Sequence, residues 1–588
     1  MCGIFGIIKN DCDIDIQKNL KTIKHRGPDD EGIYQNKNIV LGFRRLSIID
    51  LSVNGHQPIG NEDSTIWIVC NGEIYNFQEI KKELLSKHKF RSNTDIEVLL
   101  HGYEEWGIDG LLKKINGMFA FCLYDSIKQV SYLVRDRIGK KPLYYYQNEK
   151  YLAFSSETKS FFKLDDFKFD LDKKALDLFM GFSYLPDNNK TIIKDVYKVA
   201  PGYYLKISDG LKIEKVQYWN LPQTENKATF DSAKNEIESL LIDSVSKRLV
   251  ADVSVGILLS GGLDSSLITA MASKYSRNKI KTISISFENS CIDEREYARV
   301  VAKHCQTDHL ELNLSIKDTY DVFKKNIWIY DDLSTVDGGL FSEFLLAQKV
   351  RETGVKVVLV GEGADEIFGG YTWFQFSQFP FNLLPNFAKV MGYYYAIMRK
   401  MPSIGLLKYS WILYQKLKET PGNFFKKIQQ YEIKYSLPNH YCMKVDKGTS
   451  AASIEARAPF MDYRVVQLAS QLDKRFFLKN NFWQPNKSNE KYILREIAKK
   501  YLPTEIFTRK KKGGMLPTYD ILNTGLKIDQ DLILNNIFLT DFFGKKYLAE
   551  LIKQEPQNKF LKWQREWVLW KCLVFALWFD YYEKYAKN

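Results

Sequence analysis

VSVGILLSGGLDSSLITAMASKY, residues 253–275, is the stretch on which the fold turns. Residues 253–259 form a short apolar run closed by a turn signal, the pattern of a buried strand rather than a helix. Ser260, Gly261 and Gly262 end it, and LDSSLITAMASKY then opens a helix. Two adjacent glycines let the backbone approach an anion closely. The new helix adds unsatisfied N–H groups and the positive end of its dipole, so SGGLDSS reads as an anion cradle. It is not a Walker A loop, because the lysine and the longer glycine spacing are missing.

The same rhythm repeats downstream. KTISISF leads into DEREYARVVAKH, and VKVVLVG leads into EGADEIFGGY. Strand, loop and helix in succession predict a parallel sheet with helices on its faces and a site at the strand C-termini. From about residue 373 the chain reads as helical and aromatic. Upstream lie short β-rich runs, among them IFGIIKN, STIWIVCNGEIYN, GMFAFCLYD and QVSYLVRDRIG, with helices over NFQEIKKELLSK and TDIEVLLHGYEEWG. That half is α+β. The polar stretch NLPQTENKAT separates the two, and 588 residues exceed what one core accommodates. Two domains are expected, residues 1–215 and 230–588.

Composition is that of an ordinary globular chain, 45% hydrophobic and 26% charged. The net charge of +13 is modest for this length and suits nucleotide phosphates or a solvated surface better than nucleic acid. Eight cysteines, Cys2, Cys12, Cys70, Cys122, Cys291, Cys305, Cys442 and Cys572, show no metal-ligand spacing and fit free thiols in a reducing cytoplasm. MCGIFGIIKN lacks the features of a secretory signal. WVLWKCLVFALWFDYY, near the C-terminus, is interrupted by Lys571 and too short to span a bilayer, so a docking helix is expected and stable membrane insertion is not.

Cys2 precedes Gly3, and initiator methionine is usually removed before a small residue. A thiol and an α-amine of pKa about 8 would then sit on one residue, nucleophile and base together. Around it, MCGIFGI, HRGPDDEG (25–32), FRRLSIID (43–50), NGEIYN (71–76) and DIEVLL (95–100) resemble the class II glutamine amidotransferase domain, in that family's order. The resemblance implies an Ntn-type sandwich and glutamine hydrolysis through a thioester on Cys2. It implies an oxyanion hole from the Asn71 side chain and the Gly72 N–H, preorganised donors of the kind that dominate acyl-transfer catalysis. Arg45 would clamp the glutamine α-carboxylate, while Asp95 and Glu73 would hold its α-ammonium.

SGGLDSS in turn resembles the loop of N-type ATP pyrophosphatases, which split ATP to AMP and pyrophosphate. Together with VDKGTSAASIEARAPFMDYRVVQLA (445–469), it makes the chain resemble the asparagine synthetase family over residues 1–517. That resemblance implies Mg2+ shared by Asp264 and Asp365, offsetting charge on the leaving pyrophosphate. Ser260, Gly261, Gly262 and Ser265 would complete the ATP loop, and Leu259, Ile285 and Gly361 would meet the adenine nucleotide. Glu362 would relay a proton from incoming ammonia. Lys491, in KYILRE, would steady the adenylating phosphate, and the run Arg509–Lys512 is either an electrostatic lid or a solvated loop.

The implied reaction is amidation of a carboxylate through an acyl-adenylate, with ammonia released at Cys2 travelling between the domains. Aspartate is the family's usual acceptor. However, YDDLSTVDGGLFSEFLLAQ (330–348) lacks the proline of the family's DEPxxxxSxxPxYLL-like segment, Val360 stands where serine is usual, and Gly514 where an aromatic is common. These departures resemble members that amidate a sugar carboxylate. The expected partners are glutamine, ATP and the acceptor, with a homodimer open as an assembly. An amidohydrolase with an inert second half is the rival enzyme reading, opposed by Asp264, Glu362 and Asp365. A nucleic-acid-binding protein is the non-enzyme reading, resting on charge alone.

Overall fold

The computed structural model describes residues 1–9, 14–276, 278–287, 295–314, 318–335, 338–397, 405–479, 490–509 and 518–587. Cys12, Cys291, Lys510–Lys512 and Gly514 lie outside them.

Two antiparallel sheets of six strands each stack face to face. In the first, Gly3–Lys9 runs between Ile39–Arg45 and Tyr151–Ser155. In the second, Ile66–Ile74 pairs along its whole length with Gly117–Asp125. Ile4, Leu41 and Phe43 of one sheet meet Val69, Cys122 and Leu133 of the other. The helices Phe77–Leu84 and Glu97–Lys114 cover the outer face of the second sheet through Ile80, Leu99 and Leu111. Phe5, Ile7 and Val40 carry the outer face of the first sheet into the core formed with the C-terminal helices. Strands covered on both sides lose their polar alternation, which is why IFGIIK and GMFAFCLYD read as unbroken apolar runs. The layers make the Ntn-type sandwich expected of this half.

The third sheet is parallel throughout, with strand order Asp308–Leu314, Lys281–Phe287, Val255–Leu258, Val357–Leu359, Glu455–Arg457. Val255–Leu258 is earliest in the chain yet central in the sheet. The chain builds outward on one side and then returns to add Val357–Leu359 on the other. That reversal opens a crevice between the loops after Val255–Leu258 and Val357–Leu359. Asp30–Gln35, Asp308–Leu314, Glu455–Arg457 and the strands between Val196 and Gln217 add to the expected set.

The last helix, Lys559–Lys587, docks as expected. Trp578 Nε1 donates to the Asp331 carbonyl at 2.7 Å, and the Tyr582 hydroxyl to that of Trp328 at 3.0 Å. Lys571 is fully buried and donates to the Met180 carbonyl at 2.8 Å, so the charge that interrupts the apolar run is used inside the protein. No described helix is long and apolar enough to cross a membrane.

Candidate active sites

Cys2 lies at the start of Gly3–Lys9, its thiol 3.8 Å from the Leu46 carbonyl, and burial pushes that thiol up to about 11. The α-amine belongs to Met1, which is itself buried; loss of water lowers it to about 5. Arg26, of the HRGPDDEG stretch, grips the nucleophile's backbone. Its Nε donates to the Cys2 carbonyl at 3.0 Å, its Nη1 to Glu157 at 2.9 Å and Ser450 at 3.0 Å, and its Nη2 to Asp446 at 2.9 Å.

Asn71, Gly72 and Glu73 follow one another on Ile66–Ile74. Asn71 is completely buried, yet among the described residues neither its amide nitrogen nor its oxygen has a hydrogen-bond partner. A buried amide left in that state is a donor waiting for a ligand, since such groups are otherwise nearly always satisfied. A Cβ on Gly72 would stand 2.2 Å from the Met118 carbonyl oxygen and 2.6 Å from the Phe119 Cα, so only glycine allows this strand pairing. Asp95 accepts from the Ile74 N–H at 2.6 Å, which brings it to the same strand, and burial raises it to about 6. Glu73 is raised well above the carboxylate range by burial and faces Arg457 of the parallel sheet at 3.2 Å. The Arg45 guanidinium is held by the carbonyls of Asp50 and Ser52, the latter at 2.9 Å. Cys2 and Glu73 lie within electrostatic reach of one another.

In the crevice of the parallel sheet, Gly261 takes φ +71°, and a Cβ there would lie 2.7 Å from the Ala298 nitrogen. Ser260 and Ser265 bond across the loop, Oγ to Oγ, at 3.0 Å. Gly262 caps the helix Leu263–Tyr275, whose first turn carries Asp264. Gly361 brings the second loop against the first: its Cβ would be 3.1 Å from both the Asp264 Cβ and the Ser265 nitrogen. Lys491 joins them chemically, its ammonium 2.6 Å from Asp264 and 2.9 Å from Asp365. Two carboxylates converging on one point are a hard-oxygen donor set that suits Mg2+. Leu259 is buried beneath the loop, and Ile285 lies on the neighbouring strand Lys281–Phe287. Arg509 donates to the Gly261 carbonyl at 2.9 Å and lies over the Tyr297 ring, so the one described member of the basic run touches the anion loop.

Between the two centres lies a cavity of about 30 Å³. Its wall is shared by Met1 from one side and by Val360 and Glu362 from the other, with Met118, Cys442, Val445, Ala456, Ala458 and Met461 supplying apolar surface and Lys140, Lys141 and Asp446 the remaining charge. Glu362 itself is half-buried and lies 3.4 Å from the Lys444 ammonium. The sequence reading assigned no role to Arg26, Asp446 or Arg457, which fasten the two halves together. The signal was present, because each falls inside a quoted motif.

A half-buried thiol and an unpartnered buried amide on one Ntn-type sandwich, joined to an anion loop at the switch point of a parallel sheet, point to a class: enzymes that draw nitrogen from glutamine and use ATP to form an amide. Comparison with known families agrees. The glutamine amidotransferase domain matches residues 1–219 and asparagine synthase matches residues 236–580. Asparagine synthetase [glutamine-hydrolyzing] 1 of Bacillus subtilis is 30% identical, covering 98% of this chain and 96% of its own. Asparagine synthetase B of Escherichia coli is 29% identical, covering 87% and 81% respectively. This chain belongs to the asparagine synthase family.

Proposed function

We propose that the chain amidates aspartate to asparagine through an acyl-adenylate, with residues 1–215 as the glutaminase domain and 230–588 as the synthetase domain, acting in the cytoplasm. The observation that carries this reading is the cavity with Met1 on one wall and Glu362 on the other. Loss of Met1 would free the Cys2 amine and open the cavity at the thiol. Cys2 then attacks the glutamine carboxamide carbon, and the Asn71 amide and Gly72 N–H hold the oxyanion. Arg45 takes the glutamine α-carboxylate, and Asp95 with Glu73 takes its ammonium. Ammonia crosses toward Glu362.

At the second centre the Ser260–Ser265 loop receives the ATP phosphates, while Leu259, Ile285 and Gly361 border the adenosine. Asp264 and Asp365 would hold Mg2+, which when bound offsets charge on the departing pyrophosphate. Lys491 steadies the adenylating phosphate. Glu362 takes a proton as ammonia attacks the acyl carbon and AMP leaves. A sugar acid is the second reading of the acceptor, favoured by the departure of residues 330–348 from the family's segment.

Pyrophosphate release with glutamine, ATP and magnesium, measured against aspartate and a panel of uronic acids, tests the reading. Aspartate is expected to support release, and Cys2→Ala to restrict it to added ammonia. Release with a uronic acid and none with aspartate changes the product. If no carboxylate supports release, the synthetase assignment is refuted.

A further inference from the structure

Away from both centres, on the outer side of the glutaminase half, three chain segments bring two imidazoles and two carboxylates together. Glu62 comes from the turn before Ile66–Ile74, His88 from just after the helix Phe77–Leu84, and His101 and Glu104 from one face of Glu97–Lys114. One ligand atom from each of the four lies within 4.8 Å of all the others. We propose that Glu62, His88, His101 and Glu104 form a structural zinc site.

The spacing of the four ligand atoms approaches that of a tetrahedral zinc site. Zinc bound at ~2.0–2.1 Å by four ligands sets neighbouring ligand atoms about 3.4 Å apart. Here His88 Nδ1 is 3.5 Å from a Glu62 oxygen and 3.6 Å from Glu104 Oε2. His101 Nδ1 is 3.5 Å from the other Glu62 oxygen and hydrogen-bonds Glu104 Oε2 at 2.8 Å, a contact that a bound ion would replace. Both rings therefore turn Nδ1 inward, and they lie stacked with centroids 4.5 Å apart.

Three of the four ligands are also held from behind, as metal ligands characteristically are. His88 Nε2 faces Glu105 at 3.3 Å, a carboxylate–histidine pair that turns its Nδ1 toward the other ligands, while His101 Nε2 lies 3.7 Å from Glu97, beyond hydrogen-bond range. Glu97 is fixed in turn by the backbone N–H groups of Arg91 and Ser92, at 2.7 and 2.8 Å. Asn61 Nδ2 donates to Glu104 Oε1 at 2.8 Å, keeping Oε2 for the site, and the Lys89 N–H donates to Glu62 at 3.0 Å. Two nitrogens and two oxygens suit zinc better than magnesium or calcium. Four protein ligands close the coordination shell, the mark of a structural rather than a catalytic site. Its place in the fold agrees, since the ion would clasp the segment between His88 and His101, which carries Asp95.

The test uses full-length protein stripped with chelator and titrated with Zn2+ or with Co2+ as the spectroscopic probe. One equivalent of Zn2+ is expected to bind at micromolar or lower concentration and to raise Tm to a plateau. Co2+ is expected to give the visible bands of a four-coordinate nitrogen–oxygen site without thiolate charge transfer. His88→Gln should weaken binding by at least about 100-fold, beyond the range of an outer-shell change. Should that variant fold poorly, Glu62→Gln, at an exposed position, serves in its place. The proposal is overturned if wild-type protein shows no saturable one-equivalent step below about 100 μM, or if both variants bind as tightly as wild type. The first of those results would leave the four side chains as ion pairs only.

Discussion

Replacing Arg26 by methionine should loosen the join between the two halves and disable the glutaminase first. The guanidinium is fully buried and touches Cys2, Glu157, Ser450 and Asp446 together. Removing one partner of a buried ion pair costs ~3–5 kcal/mol, because the other charge is left in low dielectric. The lower end applies, since Glu157 retains Lys159 at 2.5 Å and His25 at 3.0 Å, and Asp446 retains Lys141 at 3.6 Å. A loss of about 3 kcal/mol corresponds to a Tm lowered by roughly 6–12 °C for a unit of this size. Methionine also cannot donate to the Cys2 carbonyl. Assayed below the new midpoint, glutamine-dependent product should fall steeply while ammonia-supported pyrophosphate release persists. Asp446→Asn closes a double-mutant cycle, with an expected coupling of about 1–3 kcal/mol. A coupling near zero, together with wild-type glutamine use by Arg26→Met, would refute the reasoning.

Gly72→Ala must move the Met118 carbonyl and the Phe119 backbone, so glutamate release should drop ~10²–10³-fold, as when an oxyanion donor is lost, while ammonia-dependent synthesis survives. Lys491→Met leaves Asp264 and Asp365 facing each other without their shared cation; pyrophosphate release is expected to fall by on the order of 10²-fold with glutaminase activity intact. Asp462 is bound by buried Arg248 at 3.2 Å and by Arg464 at 2.9 Å, which, against the effect of its burial, hold its carboxyl below the usual range. Its contribution is thus present above the unfolded value of about 3.9 and lost as pH falls beneath it. Asp462→Asn should lower stability at neutral pH and flatten the decline below pH ~4 in a denaturant series.

The two chemical centres were legible because each depends on residues close in sequence. Asn71, Gly72 and Glu73 are consecutive, and SGGLDSS carries its turn and its helix start within seven residues, just after the strand Val255–Leu258. The strand Asp308–Leu314 was missed for a different reason: it edges the sheet, and its sequence DHLELNL mixes polar side chains into an apolar alternation. Glu455–Arg457 is three residues long, too short for any periodicity. Arg26 was quoted within a motif, but its bond to Asp446 spans 420 positions, and no local pattern encodes such a pair.

On the proposed function, the cavity between Met1 and Glu362 would also act as a charge filter. Its wall is chiefly apolar, and the charges it does contain are already engaged: Asp446 with Arg26 and Lys141, Glu362 with Lys444, and the Lys140 amine with the carbonyls of Gly117 and Met461. An ammonium ion entering this space would shed its water against carboxylates already paired with Arg26, Lys141 and Lys444, a penalty far above that of a neutral molecule. Uncharged ammonia faces no such barrier. Were ammonia to cross here as proposed, it would pass as the free base with its lone pair available, a nucleophile already in its reactive form.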